Sequence, residues 1–195
     1  MFIVFEGLDG SGSSTQARLL KSYFESQGKE VILTKEPTEN PIGKMIRDCL
    51  QNRIELSPRA LQLLFAADRA EHLHTLISPS LNQDKIVISD RYYFSSIAFG
   101  GIDLEFEWLR SLYQSFLQPD LVFLLKVEPK TCIERIHKRG TPMELFEKEE
   151  TLRRVWNNYT LLAELYPCIR LIDGNENIEE VQAKIINIVK TQNTL

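Results

Sequence analysis

An α/β fold, with a parallel sheet crossed by helices, is predicted from three features of the sequence. Short apolar runs of the kind that fill a two-sided sheet alternate with longer amphipathic segments. Five such runs are present: Phe2–Phe5, Val31–Thr34, Ile86–Ser89, Leu121–Leu125 and Ile169–Ile172. The first leads straight into a turn rich in glycine and serine and then a helical pattern, the order in which such sheets meet anionic ligands.

The elements follow in chain order. Phe2–Phe5 is a strand rather than a leader, because its apolar stretch is too short and has neither a basic flank nor a small-residue cleavage site. Gln16–Gln27 has a helical pattern, and Val31–Thr34 is the second strand. Ser57-Pro58 supplies an N-cap and a first-turn proline for a long amphipathic helix over Ala60–Ile77. After the third strand come Tyr92, Tyr93, Phe94 and Phe99, a cluster that reads as core when taken by itself. Leu121–Leu125 falls far short of the roughly 20 apolar residues a membrane helix needs. Glu128-Pro129 repeats the capping device before Thr131–Lys138, and Gly140-Thr141-Pro142 then breaks the helical pattern as a mobile loop. The last helix has Ile178, Val181, Ile185 and Ile188 at helical spacing, acids in its first turn and Lys190 near its end. No repeat, linker or composition break divides the chain, so residues 1–195 form a single domain.

Composition narrows the function. A 43% hydrophobic and 26% charged chain is that of a globular protein able to fold unaided. With 27 acidic against 23 basic residues the net charge is −4, so no overall positive field would hold a polynucleotide. A small anionic ligand stays open, because a phosphate responds to the groups lining its pocket. Cys49, Cys132 and Cys168 are widely spaced and contain no CxxC, which fits neither a disulfide framework nor a zinc site and suits the reducing cytoplasm. His72, His74 and His137 have no partners at metal spacing and are assigned no chemistry.

The turn after the first strand reads Gly7-Leu8-Asp9-Gly10-Ser11-Gly12-Ser13-Ser14-Thr15. Its glycines let the backbone curl with N–H groups inward, the helix N-terminus adds positive partial charge, and the Ser14 hydroxyl can reach magnesium. Against Gly-x-x-x-x-Gly-Lys-Ser/Thr, the chain matches Gly7, Gly12 and Ser14 but has Ser13 in place of the lysine. Lys85–Asp90 is an apolar strand ending in a carboxylate, suited to holding magnesium through its water shell. Asp90 could instead cap the following helix.

Taken together, Phe5–Gly12, Thr34-Lys35-Glu36-Pro37, Leu64–His72, Asp90-Arg91-Tyr92 with Ser95-Ser96, and Gln118-Pro119-Asp120 resemble the thymidylate kinases, over almost the whole chain. The resemblance implies a P-loop NTPase fold, with a five-stranded parallel core, helices on both faces and a small lid at about 139–147. It also implies transfer of phosphate from ATP, with Mg2+, to dTMP, and a homodimer. Carried onto this chain, Gly7 to Thr15 cradles the donor phosphates, with Ser14 and Asp90 near the metal. Asp9 reaches the deoxyribose 3′-hydroxyl, Phe65 stacks on the thymine, Arg69 hydrogen-bonds it, and Arg91 holds the phosphates where attack occurs. Ser96 makes a second base contact, Phe99 crowds out a ribose 2′-hydroxyl, and Glu36 and Arg47 border the acceptor. Taken singly, Phe65 also reads as core and Arg69 as paired with Asp68 or Glu71 on a solvated helix face.

The chain departs from the family pattern at Ser13, at Leu145 where many members place a lid arginine, and at Lys126 where an aspartate is usual. Phosphoryl transfer depends on charge neutralisation, and one lost donor costs on the order of 10²–10³ in kcat. Arg135 and Arg139 lie one helical turn apart, so one of them is expected to close onto the donor phosphates in place of the lysine.

Overall fold

The computed structural model describes residues 1–139 and 145–192, with the Arg139 side chain also outside the description. Five parallel strands, β1 (Phe2–Gly7), β2 (Val31–Lys35), β3 (Ile86–Asp90), β4 (Leu121–Lys126) and β5 (Ile169–Asp173), form one sheet in the order β2-β3-β1-β4-β5. All five predicted runs are strands, and each extends one or two residues further at its carboxyl end. The added residues include Lys35, Asp90, Lys126 and Asp173. They continue the backbone ladder at the sheet edge, where burial stops and an apolar pattern can no longer mark the strand.

Between the strands run α1 (Ser13–Ser26), α2 (Pro41–Leu50), α3 (Pro58–His72), α4 (Ser78–Leu81), α5 (Tyr93–Gly100), α6 (Phe106–Tyr113), α7 (Pro129–Arg139), α8 (Glu149–Leu165) and α9 (Ile178–Gln192). The helix expected over Ala60–Ile77 is α3 followed by a wide π turn, Leu73–Ile77. Pro79 lies two residues beyond that turn, and its ring would clash with the Thr75 carbonyl in regular α geometry. Ser57 caps α3 as its sequence predicts, its side chain accepting from the Ala60 N–H.

Strand periodicity assigns the two faces. Phe2, Val4, Val87, Val122 and Leu124 face a core completed by Tyr92, Phe94 and Ile97 of the α5 region and Leu152, Val155 and Tyr159 of α8. The alternate residues Ile3, Phe5, Ile88, Phe123 and Leu125 face Ala17, Leu20 and Phe24 of α1 and Val181, Ile185 and Val189 of α9. Helices therefore cover both faces, as expected. A third, smaller cluster joins Ile46 and Cys49 of α2 to Leu61 of α3. The predicted mobile loop at Gly140-Thr141-Pro142 lies outside the described residues, as does most of the expected lid at 139–147.

Candidate active site

The carboxyl edge of the central strands carries the site. Gly12 adopts φ +97° and caps α1 without a side-chain hydrogen bond, so no capping side chain claims the N–H groups of the first helical turn. Gly10, at φ +81°, lies so close to α7 that an added Cβ would stand 2.6 Å from the Cys132 carbonyl oxygen. Leu8 sends its side chain into the core, so only its backbone belongs to the turn's surface.

At the entrance to α1, Ser13 donates to Asp90 Oδ1 at 3.0 Å and Ser14 donates to Asp90 Oδ2. Two hydroxyls and one carboxylate form the hard oxygen set that suits Mg2+ alongside phosphate oxygens. Among the described residues no group of three or more His, Cys, Asp or Glu side chains could hold a metal. An ion here would depend on the nucleotide's own oxygens.

The turn separates two cavities. One, of about 260 Å³, is bounded by Gly10, Ser11, Gly12, Thr15 and Gln16, the apolar Leu125, Ile178 and Val181, and Arg135. Arg135 bridges backbone carbonyls here, Nη1 donating to Gly10 O at 3.4 Å and Ser11 O at 3.3 Å and Nη2 to Gly174 O at 3.4 Å. Lys126, the cation the sequence adds, stands opposite Asp173 in the strand register.

The second cavity, of about 130 Å³, gathers Asp9, Glu36, Phe65, Arg69, Arg91, Ser96 and Phe99 from five separate parts of the chain. Arg47 does not line it. Its Nη1 donates to the Pro37 and Thr38 carbonyls, and its Nη2 pairs with Glu39 at 2.8 Å. Arg47 thus braces the loop that carries Glu36 rather than bordering the cavity. Pro37, Leu50, Gln62, Tyr92, Ser95 and Phe146 complete the lining, and sequence reasoning placed none of them there. Phe146 meets Phe99 edge-on at 5.4 Å, and the Leu145 N–H donates to Leu50 O at 2.9 Å. Apolar residues such as Leu50 and Phe146 carry no mark in the sequence separating a pocket wall from core, and a polar residue on a helix, such as Gln62 on α3, reads as solvent-facing.

Arg69 is buried rather than on a solvated face, and its partner is Glu36 rather than Asp68 or Glu71. Its Nε donates to Glu36 Oε2 at 2.8 Å and its Nη2 to Ser96 Oγ at 3.0 Å. Nη1 is buried without a hydrogen-bond partner. Burial works against the charge, but Glu36, Tyr113 and Tyr92 together more than offset it, so the guanidinium stays above its ordinary range. Glu36 is held from its other side by His72 Nδ1 at 3.0 Å, while His72 Nε2 meets Thr34 Oγ1 at 2.8 Å. The histidine given no chemistry thus orients a cavity carboxylate. Asp68 accepts from the Thr38 N–H at 2.8 Å and hydroxyl at 2.6 Å, tying the same loop to α3.

Arg91 sits at φ +73°, a left-handed conformation disfavoured for a non-glycine residue and held by its surroundings. Its Nη2 pairs with Asp9 at 2.7 Å, and its Nη1 donates to Gly7 O at 3.1 Å and Ser95 Oγ at 2.9 Å. Burial opposes its charge. The carboxylate of Asp9, then Tyr159, Glu6 and Asp90, hold it above the ordinary arginine range. Asp9 and Arg91 therefore join the phosphate turn directly to the second cavity.

A family model described as thymidylate kinase matches residues 5–185. A Thermococcus kodakarensis protein named "Probable thymidylate kinase" is 46% identical, over 98% of each chain. The thymidylate kinase of Desulfotalea psychrophila is 38% identical over 96% of this chain and 93% of its own. A solved structure of thymidylate kinase from Candida albicans superposes with a TM-score of 0.84 at 30% identity, covering 98% of this chain and 92% of that one. With the family model spanning nearly the whole chain and these relatives matching from end to end, the chain belongs to the thymidylate kinase family.

Proposed function

We propose that this protein transfers the γ-phosphoryl group of ATP to dTMP, giving dTDP and ADP. The observation that carries the reading is the cavity in which Arg69 offers one unpartnered donor beside Phe65 and Ser96, with Asp9 and Arg91 linking it to the phosphate turn. A guanidinium only donates, so it suits the O4 acceptor of thymine and opposes the 4-amino donor of cytosine. Phe65 offers a ring face to the base, Ser96 a second polar contact, and the Phe99 ring fills space that a ribose 2′-hydroxyl would need.

The acceptor phosphate is an anion at neutral pH, so no side-chain base is required. Its oxygen bonds to the γ-phosphorus as the bond to the β,γ-bridging oxygen breaks and ADP departs. Arg91 orients the acceptor phosphate, and Asp9 fixes Arg91 while reaching toward the 3′-hydroxyl. Gly7 to Thr15 holds the donor phosphates through backbone N–H groups. Ser14 and Asp90 would hold Mg2+, which when bound neutralises charge on the β- and γ-phosphates. Arg135, already touching the turn through bonds of 3.3–3.4 Å, or Arg139 supplies the cation that Ser13 does not. If Arg135→Ala and Arg139→Ala each retain wild-type kcat, that assignment is wrong. A loss on the order of 10²-fold in either supports it.

The family resemblance supports a homodimer, which sedimentation tests. The free thiols of Cys49, Cys132 and Cys168 support a cytoplasmic setting. Coupled ADP release with dTMP, dUMP, dCMP and dGMP tests the central reading. Turnover selective for dTMP is expected. Preference for another nucleotide, or binding without turnover, overturns it.

A further inference from the structure

Glu6 is a charged residue within an otherwise apolar strand, completely buried and immediately before the phosphate turn. Nothing in the transfer chemistry above uses it. Its Oε1 accepts from the Tyr92 N–H at 2.9 Å and the Ser95 N–H at 3.2 Å. Its Oε2 accepts from the Ser95 hydroxyl and from the Tyr159 hydroxyl at 2.8 Å. The carboxylate thus gathers groups from the start of α5 and from the middle of α8 onto β1.

The direction of those bonds matters. Each hydroxyl has one proton; the two oxygens stand 2.9 Å apart, where either could donate to the other, and an anion at Glu6 draws both protons to its Oε2 instead. The hydroxyl oxygens are then free to accept, and both face Arg91, whose Nη1 lies 2.9 Å from Ser95 Oγ and 3.5 Å from Tyr159 Oη. An anion at Glu6 therefore sets two hydroxyls as acceptors for the guanidinium, which leaves Nη2 directed to Asp9.

We propose that Glu6 is a positioning residue for phosphoryl transfer, acting through the Ser95 and Tyr159 hydroxyls to fix the Arg91 guanidinium. The inference rests on Arg91 meeting the substrate phosphate. Replacing the anion with an amide would aim a donor at the two hydroxyls. They would turn, and Arg91 would lose its acceptors. Burial supports the same picture, because it pushes the Glu6 carboxyl up to about 6 against the lowering influence of Arg91, Ser95, Tyr159 and the Tyr92 N–H. The ionisable groups facing it are Arg91 from the β3–α5 link, Tyr93 from α5 and Tyr159 from α8.

The experiment compares wild type, Glu6→Gln, Tyr159→Phe and the double variant by steady-state kinetics, with wild-type turnover of dTMP establishing the parent reaction independently. Glu6→Gln is expected to lower kcat on the order of 10- to 100-fold through misplacement of Arg91, with KM for ATP within about twofold, since the ATP contacts are untouched. Tyr159→Phe should have a smaller effect, and the double variant should match Glu6→Gln, because both act on one guanidinium. Below pH 6 the ratio of wild-type to Glu6→Gln kcat should fall, since wild type then carries a proton at the same position. The second ionisation of dTMP affects both enzymes alike and cancels in that ratio. A Glu6→Gln enzyme with wild-type kcat, losses that multiply in the double variant, or a ratio flat across pH 6 overturns the proposal. Should Glu6→Gln fail to fold, wild-type kcat in both Tyr159→Phe and Ser95→Ala overturns it equally.

Discussion

Buried charge at single residues is where this molecule places its strongest constraints. Arg69, Glu36 and His72 form a chain in which each polar group answers another, apart from Arg69 Nη1. The Glu6 carboxylate instead faces four donors and one nearby guanidinium, and its burial still raises it from an ordinary 4.5 to about 6. A folded-state value above the unfolded one means that the stabilising contribution of the bound proton is complete below pH 4.5. It is lost as pH rises through 6. The difference corresponds to something on the order of 2 kcal/mol. Urea unfolding at pH 4.5 and pH 7.5 should show wild type losing about that much relative to Glu6→Gln. Parallel pH dependence in the two proteins would falsify a costly buried charge at Glu6.

At the level of elements, two short connections set the site's shape. Asn40 caps α2 by accepting from the Gly43 N–H at 3.0 Å, and α2 in turn presents Arg47 to the loop behind Glu36. Asn40→Ala should cost about 1 kcal/mol of stability by chemical denaturation, with a modest rise in KM for dTMP. No change in stability would mean that the cap is idle. Gly10 is more demanding, since both its φ of +81° and the Cys132 carbonyl at 2.6 Å exclude a Cβ. Gly10→Ala should therefore displace the turn from α7 and weaken ATP binding. Calorimetry finding native affinity would show that α7 gives way instead.

Across the whole molecule, the second cavity ties together Asp9 after β1, Glu36 after β2, Leu50 at the end of α2, Phe65 and Arg69 on α3, Ser96 on α5 and Phe146 before α8. A ligand there braces most of the chain at once. With dTMP at a hundredfold excess over Kd, the unfolding free energy should rise by about 2.7 kcal/mol. Phe146→Ala opens one wall, so the same dTMP concentration should give a smaller rise in a thermal-shift or urea experiment. Equal protection of both proteins would remove Phe146 from the binding site.

The five strands, the phosphate turn and the capped start of α3 were legible because they follow from short-range rules: apolar runs, glycine backbone freedom, and a serine followed by proline. Asp9, Glu36, Phe65, Arg69, Arg91, Ser96 and Phe99 were legible through the resemblance, and the fold brings them to one cavity. The roles of His72 and Glu6, the bracing duty of Arg47 and the wall formed by Leu50, Gln62 and Phe146 were not. A histidine without metal spacing and a glutamate inside a strand have no local partner in sequence, because their partners lie dozens of positions away. The sequence by itself determined an α/β chain with a phosphate turn lacking its lysine. Only the tertiary structure decided which charges meet, because ion pairing depends on ångström distances between side chains that parallel crossovers bring together from remote parts of the chain.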